Sequence, residues 1–504
     1  MVLGTGSDAG KSLTVAALCR ILRQDGFDVA PFKAQNMALN SFATIDGHEI
    51  GRAQAMQAQA AGVEPHVDMN PILLKPSSDI GSQVILNGKV AGNYRGVDYY
   101  ELKDRLLEVV TAAYERLASQ HQIVVLEGAG SPVEMNLKDR DVVNLKMAEI
   151  ANAACMLVAD IDRGGVFASL IGTYSLLEPA ERARFCGFLI NKFRGDLNLF
   201  TDGVDYLEQK LDQSCLGVVP YLHNHGIDDE DSVSLERRAV KAPSANEEKL
   251  TVCVVGFPYL ANFTDFTALE QPDVVVYYTR RSDEARLADV LILPGSKNTI
   301  SDLLWLKQNG WTTVINDHVT AGKPLLGICG GFQMLGTEIS DPYQTEGDVK
   351  VAQGLGALNL KTVLAPEKIT RQASASFYDG SVLDESQGNP VFTGYEIHLG
   401  ETSLGEGVKP LFHLQRAGDD EVICDGAVAC DGKILGTYLH GLFDSVDGLR
   451  WILNHWRQLR GKAPLREVVD PKAERERRYD ALADHFRRHL NLELIYRALR
   501  ERRK

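Results

Sequence analysis

The chain has 504 residues, too many for one hydrophobic core, so two or three domains are expected. Its formal net charge of −15 argues against a general nucleic-acid-binding protein, and its eight cysteines, with no C-x-x-C pair, predict neither a disulfide framework nor a zinc site. No apolar run approaches the roughly 20 residues of a membrane span, and the N-terminus lacks the apolar region of a signal peptide, so we expect a cytoplasmic protein without a membrane partner.

A glycine-rich loop opens the chain, between a short predicted strand and a helix predicted over 13–24. Its sequence is Gly4-Thr-Gly-Ser-Asp-Ala-Gly-Lys-Ser12, which is typical of a phosphate-binding loop. Backbone N–H groups near Gly10 would surround the anion, Lys11 would reach terminal phosphate oxygens, and Ser12 would bind Mg²⁺. Five residues rather than four separate Gly4 from Gly10, a variant that resembles the dethiobiotin-synthetase-like ATPases, which phosphorylate a carboxylate. Because only three residues precede Gly4, we expect the first strand to be cut short.

Two predicted strands of the N-terminal half end in a carboxylate. The apolar strand 122–127 ends at Glu127, and strand 154–160 ends at Asp160, with Asp162 close behind it. A carboxylate at the end of an apolar strand is costly unless it has a partner, and Mg²⁺ is the natural one. These residues are therefore candidate Mg²⁺ ligands.

Strands and helices alternate over 1–230 at a spacing of about 30 residues, which predicts a doubly wound parallel sheet with a nucleotide at the carboxyl ends of its strands. Asn191 follows such a strand, where an amide that reads a nucleoside would lie. The helix predicted over 51–61 is rich in alanine and glutamine, and its glutamines are compatible with a solvated face.

An acidic stretch without apolar pattern predicts a linker at 231–249. A second α/β domain follows over 250–445, and within it an apolar strand runs into Gly-Ile-Cys329-Gly-Gly and then a helix. Small neighbours on both sides are typical of a nucleophile elbow, here with sulfur in place of oxygen. The helix start would stabilise a thiolate and an oxyanion. A buried structural cysteine is the alternative, which the flanking glycines disfavour.

Three further features of the second domain bear on Cys329. The tight turn at Gly295 follows an apolar strand and could supply oxyanion donors. His398 and His440 are both candidate bases, and we favour His440 because it follows a strand and lies at a turn, whereas His398 alternates with Glu396. The remaining residues, 446–504, form a predicted helical tail packed on the second domain.

With both halves analysed, the chain resembles the cobyric acid synthase family, the glutamine-dependent amidotransferases of cobalamin biosynthesis. The resemblance covers essentially the whole chain and is carried by segments 4–12, 31–41, 51–55, 69–76, 127–132, 160–167 and 394–398. It implies an α/β fold of two domains: an N-terminal P-loop domain with a doubly wound parallel sheet, and a C-terminal α/β domain of the class I glutaminase type.

The resemblance also implies roles for residues of the second domain. Cys329 would attack the side-chain amide of glutamine, and His440 would act as its base and later as proton donor. Gln333 and Gly295 match positions that hold the glutamine or its oxyanion. Many class I glutaminases have a carboxylate two residues after the histidine, where this chain has Leu442. The cobalamin branch is similar in lacking it, so we expect a Cys/His pair oriented by another residue.

For the first domain, the resemblance implies that ATP phosphorylates a corrinoid carboxylate and that ammonia attacks the acyl phosphate. Lys11 and Mg²⁺ would meet the charge on the transferring phosphoryl group, with Glu127 and either Asp160 or Asp162 on the metal and Lys33 assisting with phosphate or carboxylate. The implied reaction amidates side chains b, d, e and g of adenosylcobyrinic acid a,c-diamide. The expected partners are thus the small molecules corrinoid, glutamine and ATP, with no nucleic acid, and a homo-oligomer is left open.

Two alternatives stay open at this point. Cobyrinic acid a,c-diamide synthases share the two-domain plan and the cysteine turn, and they differ in the corrinoid that is amidated. A P-loop switch ATPase joined to a degenerate partner-binding domain is the more remote alternative, and the presence of both Cys329 and His440 argues against it.

Overall fold

The computed structural model describes residues 1–76, 81–95, 102–223, 225–227, 248–379, 383 and 388–502. The chain divides into two compact units. The first unit consists of Met1–Ala38, Ile50–Ile227 and Arg475–Lys504, and the second unit of Leu39–Glu49 and Asp228–Glu474. Most of the predicted linker, up to residue 247, lies outside the described residues.

The first unit alternates strands and helices, as predicted. Its strands are Val2–Gly4, Val29–Phe32, Gln35–Met37, Ile72–Pro76, Gly81–Leu86, Lys89–Arg95, Ile123–Leu126, Cys155–Asp160, Phe185–Phe193 and Cys215–Pro220. Its helices are Lys11–Gln24, Arg52–Ala61, Lys103–Gln120, Leu145–Ile150, Val166–Leu176, Pro179–Arg182, Thr201–Leu211, most of Pro471–Arg487, and Leu492–Arg502.

The main sheet of the first unit is parallel and has Val2–Gly4 near its centre. On one side of this strand, Cys155–Asp160, Phe185–Phe193 and Cys215–Pro220 pair in that order, all in parallel. On the other side, the parallel bridge between Val2 and Glu127 leads to Ile123–Leu126 and then to Val29–Phe32. The loops after these strands therefore meet at one edge, and the predicted P-loop sheet is confirmed. A smaller sheet joins Gln35–Met37 in parallel to the antiparallel set Ile72–Pro76, Gly81–Leu86 and Lys89–Arg95.

Among its described residues, the second unit has two large sheets. The first has the order Val274–Thr279, Leu250–Val255, Val290–Leu293, Leu325–Ile328, Ile434–Thr437 and Ala427–Ala429, parallel except for the last strand. The second contains Glu338–Ser340, Val351–Gln353, Leu360–Phe377, Phe392–Leu404, Phe412–Arg416, Val422–Asp425 and Leu439–His440. The helices are Thr299–Gln308, Trp311–Thr320, Gly330–Met334 and Val446–Leu459, and the short strands Ser41–Ala43 and Glu49–Gly51 pair with each other.

The C-terminal tail differs from the prediction, because only its beginning packs in the second unit. Val446–Leu459 contributes Trp451 and Trp456 to that unit's core, whereas Arg475–Lys504 belongs to the first unit. There, apolar residues of Pro471–Arg487, including Leu482, lie in one buried cluster with residues of Lys11–Gln24. Periodicity shows which face of a helix is buried but carries no information about what covers it.

Two further expectations for the N-terminal half are corrected. Leu39–Glu49, assigned from the sequence to the first domain, belongs to the second unit. Gln54 and Gln57 of Arg52–Ala61 are fully buried rather than solvated. Among the described residues, no helix is both long and apolar enough to span a membrane.

Candidate functional site

The predicted elbow is present at Cys329. The buried strand Leu325–Ile328 ends there and the helix Gly330–Met334 begins directly after it. Cys329 has φ 52° and ψ −112°, a conformation that non-glycine residues adopt only when the surroundings hold them in it. Its neighbour Gly331 has no room for a side chain, because an added Cβ would lie 1.9 Å from the carbonyl oxygen of Leu293. The flanking glycines thus allow the sharp turn that places the thiol at the end of the sheet.

His440, the favoured candidate base, lies next to the Gly295 turn and pairs with Asp265. Its Nδ1 donates to Asp265 Oδ2 at 2.7 Å, and the backbone N–H of Gly441 donates to Asp265 Oδ1 at 3.3 Å. Both side chains are almost fully buried. Since the bond to Asp265 occupies Nδ1, the other ring nitrogen, Nε2, is left for proton transfer. Nε2 is buried and has no hydrogen-bond partner among the described residues.

The charge state of His440 follows from its surroundings. Burial opposes a charged imidazole, but the carboxylate of Asp265 and, to a smaller extent, the thiol of Cys329 outweigh it and raise the pKa of His440 to about 10. The imidazolium form is therefore favoured at neutral pH. A cationic ring is the counter-charge that a thiolate nucleophile needs.

The turn at Gly295 lies beside both residues. A Cβ added there would lie 3.3 Å from His440 Cε1 and 3.9 Å from Cys329 Cβ. The backbone N–H of Cys329 itself donates to Thr437 O at 2.8 Å, so this donor is used in strand pairing. Donors for an oxyanion therefore have to come from the Gly295 turn and from the start of the helix after Cys329.

Gln333 lies one helical turn after Cys329 and is buried. Its Nε2 donates to the hydroxyl of Tyr438 at 3.1 Å. A Cβ at Gly400 would lie only 2.1 Å from the same nitrogen, so the glycine leaves the space that the amide occupies.

His398, the alternative base, is occupied on both ring nitrogens. Nδ1 pairs with Gly400 O at 2.9 Å, and Nε2 pairs with Glu396 Oε1 at 3.1 Å. Burial works against the charge on Glu396, but bonds from His398 and Arg416 lower the pKa of its carboxyl to about 2. These bonds tie the His398 ring into a structural network rather than leaving it for proton transfer.

The phosphate-binding loop forms the second cluster, in the first unit. Gly10 precedes the helix Lys11–Gln24 and has φ +95°, and a Cβ there would lie 2.0 Å from Asn191 Nδ2. Lys11 Nζ donates to Gly6 O at 2.8 Å and Gly130 O at 3.1 Å, which places the ammonium across the loop. Asn191 Nδ2 donates to Ala9 O at 3.0 Å, so the amide predicted to face a nucleoside is bound to the loop backbone here.

Glu127 is the centre of this cluster. Its Oε1 accepts from Ser12 Oγ and from Lys33 Nζ, both at 2.8 Å, and its Oε2 accepts from Gln57 Nε2 at 2.5 Å. The carboxylate is almost fully buried, so the Lys33 ammonium provides the counter-charge that the sequence analysis expected from a metal ion.

The residues of this cluster also fit Mg²⁺. Two adjacent ligands of an octahedral Mg²⁺ at about 2.0–2.1 Å are about 2.9 Å apart, and the oxygens of Ser12 and Glu127 are 2.8 Å apart. Both are the hard oxygen donors that this ion prefers. Ser12 and Glu127 can therefore serve as two neighbouring ligands, with phosphate oxygens and water completing the set.

Asp160 is not brought to this pair. Its Oδ2 pairs with Lys192 Nζ at 2.9 Å, and its Oδ1 accepts from the N–H of Asp162 at 2.8 Å. Asp162 in turn pairs with Arg194 at 2.6 Å. Within the part of the chain that the structure describes, no group of three or more His, Cys, Asp or Glu could hold a metal. Asp160 and Asp162 are thus both paired with basic side chains, and the prediction of Asp160 as a Mg²⁺ ligand stays a prediction.

Two residues of these clusters, Asp265 and Gln57, were not predicted as site residues from the sequence. Asp265 precedes His440 by 175 residues, and nothing near it in the sequence marks it. Gln57 was readable in principle: the helix Arg52–Ala61 has alanine at half of its positions and a single charged residue, a composition that favours a buried helix over a solvated one.

Two known domain families match this chain, and each matched range contains one of the two clusters described above. Residues 1–231 match the family described as CobQ/CobB/MinD/ParA nucleotide binding domain, and residues 251–448 match the family described as CobB/CobQ-like glutamine amidotransferase domain. Fold, site and these matches define the class: a glutamine-dependent ligase in which a nucleotide-binding domain and a glutamine amidotransferase domain share one chain.

Relatives that match over the full length of the chain identify one family within this class of ligases. The cobyric acid synthase of Syntrophobacter fumaroxidans (strain DSM 10017 / MPOB) is 48% identical over 505 residues, which cover 99% of this chain and 98% of the relative. That of Photorhabdus laumondii subsp. laumondii is 46% identical, covering 100% and 98%, and that of Streptococcus sanguinis (strain SK36) is 47% identical, covering 100% and 99%. The chain belongs to the cobyric acid synthase family, and the resemblance drawn from its motifs is confirmed.

Proposed function

We propose that this chain amidates the b, d, e and g side-chain carboxylates of adenosylcobyrinic acid a,c-diamide to give adenosylcobyric acid, with one glutamine and one ATP consumed for each amide. The observation that carries the proposal is that one chain holds two complementary sites. Cys329, His440 and Asp265 are arranged to release ammonia, and Lys11, Ser12 and Glu127 are arranged around a phosphate-binding loop. Free ammonia is useful to a ligase only where a carboxylate is activated.

In the glutaminase half-reaction, the Cys329 thiolate attacks the side-chain amide carbon of glutamine. Backbone N–H groups at the Gly295 turn and the helix start stabilise the oxyanion. His440 Nε2 gives its proton to the leaving nitrogen, so ammonia departs and a thioester remains. The neutral ring then takes a proton from water, the hydroxide cleaves the thioester, and glutamate is released. Asp265 keeps the ring oriented throughout by accepting from Nδ1.

In the synthetase half-reaction, a corrinoid carboxylate oxygen attacks the γ-phosphorus of ATP, which yields an acyl phosphate and ADP. Ammonia then attacks the acyl carbon, and phosphate leaves with the electrons of the C–O bond. Lys11 and the loop N–H groups stabilise the negative charge that the phosphoryl group carries during transfer. Ser12 and Glu127 would hold Mg²⁺, which would neutralise part of the same charge. Lys33 pairs with Glu127 at 2.8 Å and holds its carboxyl group in place.

The decisive experiment supplies the protein with ATP, glutamine and adenosylcobyrinic acid a,c-diamide and determines the product by mass spectrometry. Amidation at all four of the b, d, e and g positions is expected. In a parallel reaction with cobyrinic acid as the corrinoid, conversion to the a,c-diamide, without amidation of adenosylcobyrinic acid a,c-diamide in the first reaction, would identify the chain as an a,c-diamide synthase. ATP hydrolysis without any amidation would favour a switch ATPase.

Two variants separate the half-reactions. Cys329→Ala is expected to lose glutamine-dependent amidation and to keep amidation with added ammonium salt, because ammonia bypasses the thiol. Lys11→Ala is expected to lose amidation with either nitrogen source, because the carboxylate is no longer activated. Full glutamine-dependent synthesis by Cys329→Ala would refute the assignment of the nucleophile.

A further inference from the structure

A short stretch of the N-terminal sequence is built into the second unit. Leu39–Glu49 belongs to that unit, although the chain on both sides of it, Met1–Ala38 and Ile50–Ile227, belongs to the first. We call Leu39–Glu49 the strap. More than two hundred residues of sequence separate it from the elbow at Cys329, so its place there is a property of the tertiary structure alone.

The strap is anchored to the second unit along its length. Glu49 Oε2 pairs with Lys368 Nζ at 2.6 Å, and both side chains are at least 90% buried. The carbonyl oxygen of Ala43 accepts from Gln372 Nε2, and the Ala43 side chain packs with Tyr395. A buried ion pair holds its geometry firmly, because separating the partners leaves a charge without compensation.

Ser41 in the strap contacts both structures that flank His440. Its backbone N–H donates to Asn262 Oδ1 at 2.9 Å, and its carbonyl oxygen accepts from the Tyr395 hydroxyl at 3.5 Å. The Tyr395 ring stacks on the His440 ring with centroids 5.3 Å apart and planes 14° apart. On the other flank, Asn262 leads into the turn that carries Asp265.

Asn262 links the strap to Asp265 in two ways. Its side chain accepts from Ser41, and its backbone, at φ 54° and ψ 40°, starts the 3-10 turn Phe263–Leu269. The N–H of Asp265 donates to Asn262 O at 3.1 Å, so Asn262 sets the start of the turn on which the carboxylate lies. Asp265 then orients His440 through the 2.7 Å bond to Nδ1.

We propose that the strap is a positioning element of the glutaminase site, and that Asn262 is the positioning residue through which it acts on Asp265 and His440. The proposal rests on the proposed roles of Cys329 and His440. Without the bond from Ser41, the turn carrying Asp265 loses a buried restraint, and the imidazole shifts relative to Cys329. Because Gln333 is held by Tyr438, this shift affects the catalytic rate more than the binding of glutamine.

Two substitutions at one position isolate the hydrogen bond. Asn262→Gly removes the acceptor and keeps the left-handed backbone, which glycine adopts freely. Asn262→Asp keeps an oxygen acceptor for Ser41 on a residue type that also tolerates this conformation. In the full chain, we expect Asn262→Gly to lower the kcat for glutamine hydrolysis roughly tenfold or more, with the KM for glutamine nearly unchanged, and Asn262→Asp to restore most of it.

A second readout reports on the site without turnover. The rate at which iodoacetamide alkylates Cys329, measured against pH, follows the thiolate. It has to be read on the Cys329 peptide by mass spectrometry, because Cys424 and Cys430 are exposed. In Asn262→Gly, the midpoint of this profile is expected to move to higher pH, since a displaced imidazolium supports the thiolate less well. A purely structural role for Asn262 would not move it.

A variant at the far end of the strap keeps the test decisive if Asn262→Gly fails to fold. Glu49→Gln combined with Lys368→Met removes both charges of this ion pair. We expect the same loss of kcat and the same shift of the pH profile, both smaller in size. The thermal unfolding profile, compared with that of the wild-type protein, serves as the folding control for both variants. The proposal would be overturned if a folded Asn262→Gly kept the wild-type kcat and the wild-type alkylation profile. If Asn262→Gly does not fold, the same result in the double variant would overturn it. A loss of kcat in Asn262→Asp as large as that in Asn262→Gly would also overturn it. A failure of the proposed glutaminase role of Cys329 is detected by a separate result: glutamine hydrolysis would persist in Cys329→Ala.

Discussion

Replacing Asp265 by asparagine tests the role of a residue of the Cys329 site that the sequence did not predict. The substitution keeps the shape of the side chain and removes its charge. His440 is fully buried and has its pKa raised to about 10, and Asp265 is the largest of the groups that raise it. The rise from the ordinary value of about 6.5 corresponds to roughly 5 kcal/mol in favour of the charged ring. Without the carboxylate, burial dominates and lowers the pKa of His440 below its ordinary value.

The sign of the effect on activity follows from this shift. With Asp265, the His440 imidazolium persists through neutral pH and is the counter-charge available to the proposed nucleophile. In Asp265→Asn the ring is neutral at pH 7, so thiolate formation requires a higher pH and Nε2 has no proton ready for the leaving nitrogen. We expect the kcat for glutamine hydrolysis to fall by about two orders of magnitude or more, and alkylation of Cys329 at pH 7 to slow in parallel.

A matched control separates this effect from a general loss of stability. Asp289 is another carboxylate of the second unit, paired with Arg460 at 3.2 Å and with Lys462 at 3.5 Å. Asp289→Asn should leave the pH profile of Cys329 alkylation unchanged. If Asp265→Asn, folded and active with ammonia, hydrolysed glutamine at the wild-type rate with an unchanged profile, the reasoning from the buried pair would be refuted.

Three further substitutions test other parts of the structure. Gly10→Ala should abolish ATP-dependent amidation with either nitrogen source, since its Cβ would lie 2.0 Å from Asn191 Nδ2; retained amidation would show that the loop adapts. Leu482→Ala should destabilise the first unit by about 2–5 kcal/mol. The thermal half-life of ammonia-dependent amidation should therefore shorten more than that of glutaminase activity. If the half-life of the glutaminase activity shortened more, the placement of the tail in the first unit would be contradicted. Glu346→Gln addresses a carboxyl whose pKa burial raises to about 7: the native state holds this proton above the unfolded pKa, so stability falls as pH rises from about 4.5 to 7. We expect Glu346→Gln to remove up to about 3 kcal/mol of this pH-dependent loss of stability, measured by urea unfolding at each pH. An unchanged decline in the variant would contradict a Glu346 that is protonated in the native state.

Features that depend on neighbouring residues were readable from the sequence. The strand, the flanking glycines and the helix around Cys329 predict the elbow because a sharp turn needs small residues on both sides, and the structure contains that turn. Likewise, the loop from Gly4 to Ser12 and the alternation of apolar strands predict a parallel sheet, which the structure contains. The family follows from the same motifs taken together.

Other features depend on residues that are distant in sequence, and only the tertiary structure decided them. The partner of His440 is Asp265, the counter-charge of Glu127 is Lys33, and the bond that restrains the Asp265 turn comes from Ser41. The last part of the tail packs on Lys11–Gln24 rather than in the second unit. A single sequence shows which groups need a partner, because a buried charge or an apolar stripe is costly alone, but it does not show which partner the fold brings within reach.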